Sequence, residues 1–333
     1  MSDLLDLAIK NLRDTLGLAL EYKPEDAALV LFDEENALTR LLVDAYRTIL
    51  PTAEFLKVSD ATGDEIRAKF KAMPKGGLVI LVQSTNFRLN EFRFRLEIFA
   101  CGLKTIEHIH LNRMSEEQWP TYLESLAYDP TYFRPLGHAL KQRLDTCKQV
   151  TVKCGDATLT YESPMEEAKL NVGDYNGMTN IGGTFPIGEV FTEPKDLSKT
   201  NGDLLVYGFA GMDHLVQLHD PFPATIREGI FYAPHAPQAF QEILAMVRLQ
   251  ERMLVREFGL GLNPAMGRTR MVNDITAYER MTGLHLSLGE KHGVYKKPGL
   301  EAGKTRYHVD IFVAADQIKV DDEVVFEGGK YRV

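Results

Sequence analysis

Two uninterrupted apolar runs, Ala28–Phe32 and Leu78–Val82, constrain the first half of this chain more than any other feature. A strand with one face in water alternates polar and apolar residues, whereas a strand covered on both faces is apolar throughout. The runs are far too short to span a bilayer. Between and after them the pattern changes period. Residues 37–49 and 63–73 carry helical spacing, and Glu54–Val58 and Lys104–Leu111 read as further strands. Residues 89–101 read as a helix closed by Gly102, with two more helices near 116–127 and 131–147. Strand–helix alternation of this kind predicts a parallel sheet with helices on both faces.

The character changes at about residue 148. Val150–Lys153 and Thr158–Tyr161 are strand-like and flank Gly155-Asp156, a hairpin signal. More strand-like stretches follow at 203–208, 214–218 and 228–232, interrupted by a helix expected over 237–257. The expected architecture is therefore α/β plus α+β. An N-terminal parallel-sheet α/β domain covers 1–147, and a C-terminal mixed, largely antiparallel domain covers 148–333.

Composition narrows the function classes. The net charge is −9, so the chain has no global field to attract nucleic acid or an anionic membrane, and neither is expected as a partner. The three cysteines, Cys101, Cys147 and Cys154, form no CxxC pair and fit a reducing compartment. The opening segment is broken by Asp3, Asp6, Lys10, Arg13 and Asp14, so it reads as an amphipathic helix rather than a secretion signal. A cytoplasmic protein is expected. No GxGxxG or GxxxxGK[ST] string occurs, and Gly76-Gly77 precedes a strand instead of following one, so the first sheet reads as scaffold. Arg88, Arg93 and Arg95, interleaved with Phe87, Phe92 and Phe94, read as a helix face.

The chemistry-bearing residues lie in four Gly- and Pro-marked strings: GGTFPIGEVFTEP at 182–194, REFGLGLNPAM at 256–266, TGLHLSLGEKHG at 282–293, and YHVDIFVAADQIKVDDEVVFEGGKY at 307–331. They supply Glu189, Glu257, His285 with His292, and His308 with Asp310. In a strand, residues two apart face the same way, so His308 and Asp310 converge on one point. Alone, an HxD is a chance pair, Glu189 a solvated loop residue, and His285 a buried core histidine. Glu257 reads as the end of a helix, where a carboxylate opposes the macrodipole. Together, three carboxylates and two or three imidazoles make a shell for two divalent ions. The charge of two such ions is balanced by three carboxylates and a shared hydroxide, so the site can be buried. Mixed O/N ligation suits Zn²⁺, Co²⁺ or Mn²⁺. Arg256, Arg268 and Arg270 are candidate anchors for substrate or oxyanion.

These strings resemble the thermophilic-type metallo-aminopeptidase family, comprising aminopeptidase T and aminopeptidase S. The resemblance rests on the family's GEVFT.P, E.G.G.NP and H.(A/S).G strings and its terminal H.D, and it covers about 150–333. It implies metal ligands at Glu189, Glu257, His285, His308 and Asp310, with Glu189 and Glu257 also catalytic. It further implies a homodimeric two-metal exopeptidase that removes N-terminal residues from peptides. The sequence departs from the family in two ways. Where the family has a coordinating tyrosine, seven residues after the histidine, this chain has His292; imidazole can occupy that position, and Tyr295 or Tyr307 are alternatives. The stretch between His285 and His308 is also shorter than in the family. A related branch is similar to the 2,5-dihydroxypyridine ring-cleaving dioxygenases, which hold one Fe²⁺, but that branch lacks the glutamates matching Glu189 and Glu257. A third possibility is a metal-stabilised binding protein without turnover.

Overall fold

The computed structural model describes residues 2–89, 92–300 and 304–333. The chain forms two compact units. One holds Met1–Arg134, Gly173–Ile187 and Arg270–Ala277; the other holds Pro135–Val172, Gly188–Thr269 and Tyr278–Val333. The boundary drawn at 147/148 thus becomes several passages of the chain, and most of the Pro130–Thr146 helix belongs with the second unit.

The first unit is the α/β part. Its sheet runs Gly182–Thr184, Lys104–His108, Leu78–Val82, Ala28–Phe32, Glu54–Lys57, and every neighbouring pair is parallel. The order of the first four strands in the chain is that of a doubly wound sheet. Leu78–Val82 is buried at every residue, as an inner parallel strand must be. The flanking helices are set by local signals. Asn36 caps Ala37–Ile49 through the Thr39 N–H, and Thr62 with Glu65 forms a capping box on Gly63–Ala72. On one face Leu29, Leu31, Val79 and Leu81 pack with Ile66 and Phe70. Residues 89–101 are not one helix. Arg88–Leu89 and Phe92–Arg93 pair as short antiparallel strands and the helix is Phe94–Ala100, while residues 90 and 91 lie outside the described residues. Arg95 meets Glu107 at 2.9 Å, so it serves the fold of this unit.

The second unit is built on a large sheet whose neighbouring strands are all antiparallel. The helix expected over 237–257 ends at Arg248, and Val255–Gly261 is instead a strand buried at every residue. Gly259 and Gly261 weaken a helix there, and the burial of a strand on both faces overrides the apolar periodicity. Phe240 anchors the Gln238–Arg248 helix, stacking on Phe209 with ring centroids 4.5 Å apart. Among the described residues no helix is long and apolar enough to cross a membrane.

His108, at the end of its parallel strand, is completely buried between two tyrosines. Tyr46 Oη lies 2.7 Å from Nε2 and Tyr122 Oη lies 2.9 Å from Nδ1. Burial pushes its pKa down to about 3. The native imidazole stays neutral down to about that pH, whereas an unfolded histidine takes up a proton below about pH 6.5. Stability from this group is therefore complete above about pH 6.5 and is lost as the pH falls, by up to about 1.4 kcal/mol per pH unit. In His108→Gln, which cannot take up that proton, the unfolding free energy should depend less steeply on pH, by about one proton, between about pH 6 and 4.5. Equal slopes in urea titrations of the two proteins would contradict this.

Candidate metal centre

Four neighbouring strands of the second unit, Glu189–Thr192, Val255–Gly261, Gly283–Leu288 and Val309–Val313, present one common face. Glu189 stands opposite Gly261, Gly259 opposite His285, and Ser287 opposite Asp310. Directly opposed residues share a face, as do residues two apart in a strand, so Glu189, His285 and Asp310 fall on the same side of the sheet. The ladder is irregular between Val255 and Phe258, and there the Glu257 N–H donates to Ser287 Oγ at 3.0 Å.

Two glycines make this face possible. A Cβ on Gly259 would lie 2.1 Å from His285 Nε2, so only a hydrogen leaves room for the imidazole. Gly188, with φ +119°, turns the backbone into Glu189 through a conformation that other residues rarely adopt.

His285 Nε2 lies 3.3 Å from Glu189 Oε1 and 3.3 Å from Glu257 Oε1. The ligand atoms of these three buried residues lie within 4.8 Å of one another. The other Glu257 oxygen, Oε2, is 2.8 Å from His292 Nε2. His308 Nε2 is 3.2 Å from Asp310 Oδ1, and the His292 and His308 rings are 6.1 Å apart. All six residues expected from the sequence thus come together, in two groups that meet at Glu257. His292 is part of this cluster rather than a solvated turn residue, its side chain being only 2% exposed.

A divalent cation fits these residues. Asp310 Oδ1 is buried without a well-directed hydrogen bond among the described residues, which is costly for a carboxylate unless a cation meets it. Two carboxylates and an imidazole converging on one point offer the mixed O/N set that zinc and its neighbours accept.

The electrostatics agree. Burial lowers the pKa of His285, but hydrogen bonds and charge from Glu189 and Glu257 outweigh it and hold it well above the usual value. Burial likewise opposes protonation of His308, yet Asp310 and then Glu257 push it up to about 10. Burial also raises Glu257, but the facing histidines hold its carboxyl well below the usual range. The carboxylates therefore hold positive charge on the imidazoles, at the atoms a cation would take.

Sequence reasoning missed two neighbours. Arg280 Nη1 lies 2.8 Å from Glu189 Oε2 and 2.5 Å from Glu279 Oε1. Burial, with Glu189 and Asp310 adding to it, pushes Glu279 up to about 8, against the pull of Arg280. The available signal was a charged pair set between Tyr278 and Met281, close before His285.

Several expectations need correction. Glu257 lies in a strand, so it opposes no helix dipole. Arg256 is no substrate anchor. It is buried, its Nε and Nη2 lie 2.8 and 3.2 Å from Glu193, and it donates to the carbonyls of Glu290 and Tyr295. Arg268 stacks over Tyr207, and Arg270 pairs with Glu124. Tyr295 does not reach the cluster with its hydroxyl, which donates to the carbonyl of Glu167 at 2.7 Å. The backbone N–H of Tyr307 donates to Glu251 at 3.2 Å.

The fold is similar to that of wild-type AmpT from Thermus thermophilus, with a TM-score of 0.61 at 12% identity, over 98% of this chain and 99% of that one. No family model and no curated protein sequence matches the chain.

Because protons and a cation compete for the same imidazole nitrogens, Zn²⁺ binding should release protons and tighten as the pH rises. The expected gain is about tenfold per pH unit for each proton displaced, below the pKa of the imidazole concerned. Calorimetric titrations in buffers of different ionisation enthalpy measure the release, and a buffer-independent heat would contradict it. Gly259→Ala, which forces His285 aside, should weaken Zn²⁺ binding by about 10-fold or more, read in the same titrations.

Proposed function

We propose that this chain is a metal-dependent aminopeptidase that hydrolyses the N-terminal residue of peptides. The observation that carries the reading is the convergence of buried Glu189, Glu257 and His285 on one point, with His308 and Asp310 beside them. The resemblance of the surrounding strings to the aminopeptidase T and S family supports it, and so does the fold shared with AmpT.

Under this proposal one divalent ion is held by Glu189, Glu257 and His285, and a second by His308 and Asp310. The ions, Zn²⁺, Co²⁺ or Mn²⁺, supply Lewis acidity and lower the pKa of a water to near neutrality. The protein supplies the rest. Four strands fix Glu189, Glu257, His285 and Asp310 before anything binds, and His308 directly precedes the last of them, so little is spent on ordering the ligands. Glu189 and Glu257 offer carboxylate oxygens that can take the proton of the attacking water. Arg280 holds Glu189 Oε2 at 2.8 Å and leaves Oε1 facing His285. A free amino terminus is attracted to a site this rich in carboxylates, which accounts for exopeptidase action. The assembly is proposed to be a homodimer.

The one-iron dioxygenase reading requires the glutamates to be absent from the centre or turned away. Glu189 and Glu257 are only 3% and 8% exposed and both face His285.

Elemental analysis of protein purified without chelators should find about two zinc-like ions per chain, the count implied by a cocatalytic site. The same preparation should hydrolyse aminoacyl anilides, and His308→Ala should lose metal, activity and thermal stability together. A single iron per chain, with oxygen uptake on 2,5-dihydroxypyridine, would replace this reading. Full metal content in His308→Ala would remove that residue from the ligand set.

A further inference from the structure

We infer that Arg256 is a positioning residue for the metal centre: from a β-bulge beside Glu257 it grips the strap Glu290–Lys297 and keeps His292 over the cluster. The inference rests on the metal-site reading above and deepens it, because Arg256 acts through the strap and not on a substrate.

The bulge sets the geometry. Val255 pairs with Leu288 and Phe258 with Leu286, so Arg256 and Glu257 together stand opposite the single residue Ser287. An extra residue of this kind interrupts the alternation of a strand and re-aims a side chain. Here two consecutive charged residues meet the same strap. Glu257 Oε2 lies 2.8 Å from His292 Nε2, and Arg256 Nη1 donates to the carbonyl of Glu290 at 2.6 Å. A regular strand would send these two side chains to opposite faces.

The strap needs such a grip. Glu290–Lys296 forms no helix or strand, and Lys291, Gly293, Val294 and Lys296 are exposed. Little apolar area therefore holds the segment in place. Arg256 supplies two fixed points, through Nη1 to the carbonyl of Glu290 and through Nη2 to that of Tyr295 at 3.1 Å, one on each side of His292. Its Nε and Nη2 reach the Glu193 carboxylate at 2.8 and 3.2 Å, which locks the plane of the guanidinium.

Glu193 is the common anchor. Lys297, at the far end of the strap, lies 3.3 Å from it and donates to Glu166 at 2.6 Å and to the carbonyl of Pro194 at 2.9 Å. Tyr295 Oη donates to the carbonyl of Glu167 at 2.7 Å. The Phe191 ring lies 6.3 Å from that of His292 and 6.4 Å from that of Tyr295. Glu193 directly follows the strand that carries Glu189, and Arg256 directly precedes Glu257. The strap is thus tied to the two strands that bear those ligands. An ammonium at position 256 could not serve Glu193 and both carbonyls at once, because it lacks the planar fork.

Hydrogen exchange of the full chain after chelation, followed by mass spectrometry, reads the strap directly. In Arg256→Met residues 290–297 should exchange about 10-fold or more faster than in the wild type, the loss expected of two hydrogen bonds from a charged donor, while 283–288 keeps its protection. Glu193 retains Lys297 as a counter-charge in this variant. Arg256→Lys, which keeps the charge but not the fork, should behave like Arg256→Met. If the single variants do not fold, Arg256→Met/Glu193→Leu removes both charges, a change that buried pairs often tolerate, and the same local loss of protection is expected. Unchanged exchange over 290–297 in a folded variant, or a rise spread evenly over the chain, overturns the inference.

The second readout is Zn²⁺ affinity by calorimetry, which should fall by about 10-fold or more in Arg256→Met and Arg256→Lys. Faster exchange of the strap with wild-type Zn²⁺ affinity would show that its position does not matter to the centre, and also overturns the inference. A wild type that binds no Zn²⁺ removes the metal-site reading itself, and exchange of the chelated protein still decides whether Arg256 holds the strap.

Discussion

The site region of the second unit is organised around a concentration of negative charge on one buried sheet face. Glu189, Glu257 and Asp310 are all less than a tenth exposed. Burying one carboxylate without a partner costs several kcal/mol, and burying several together costs more because they repel. The structure meets the demand by placing Arg280 between Glu189 and Glu279, and by setting imidazoles against Glu257 and Asp310. Imidazoles can take up either a proton or a cation at the same atom, and a face balanced in this way is prepared to exchange one for the other.

A second layer of charge does mechanical work. The Arg256–Glu193 pair is almost fully buried, and its free donors go to two backbone carbonyls of the turn that carries His292. A buried pair of this kind adds little net stability, and its value lies in fixing one conformation. It fixes the turn that places His292 beside Glu257. Lys297, 3.3 Å from Glu193 and 2.6 Å from Glu166, ties the same segment down farther along the chain.

Part of this was legible in the sequence, for identifiable reasons. The parallel sheet announced itself because strands such as Leu78–Val82 are apolar on both faces, a pattern with few other uses. The six cluster residues stood out because unusual side chains sat in Gly-marked strings, and the glycines prove to be clearance for His285 and a turn into Glu189. The Glu257 string reads as a helix end, yet it is a strand, because apolar periodicity cannot tell a doubly buried strand from a helix. Arg280 and Glu279 went unnoticed because their role depends on contact with Glu189, far away in the sequence and on another strand. The function of Arg256 depends on the direction of two backbone carbonyls, which no residue pattern records.

Anomalous diffraction at the zinc edge, from crystals grown with Zn²⁺, should give a peak within about 2.0–2.2 Å of oxygens of Glu189 and Glu257 and of His285 Nε2, and a second at His308 and Asp310, at ordinary zinc–oxygen and zinc–nitrogen distances. Full zinc occupancy elsewhere on the chain, with Glu189, Glu257 and His285 bonded only to one another, would contradict it.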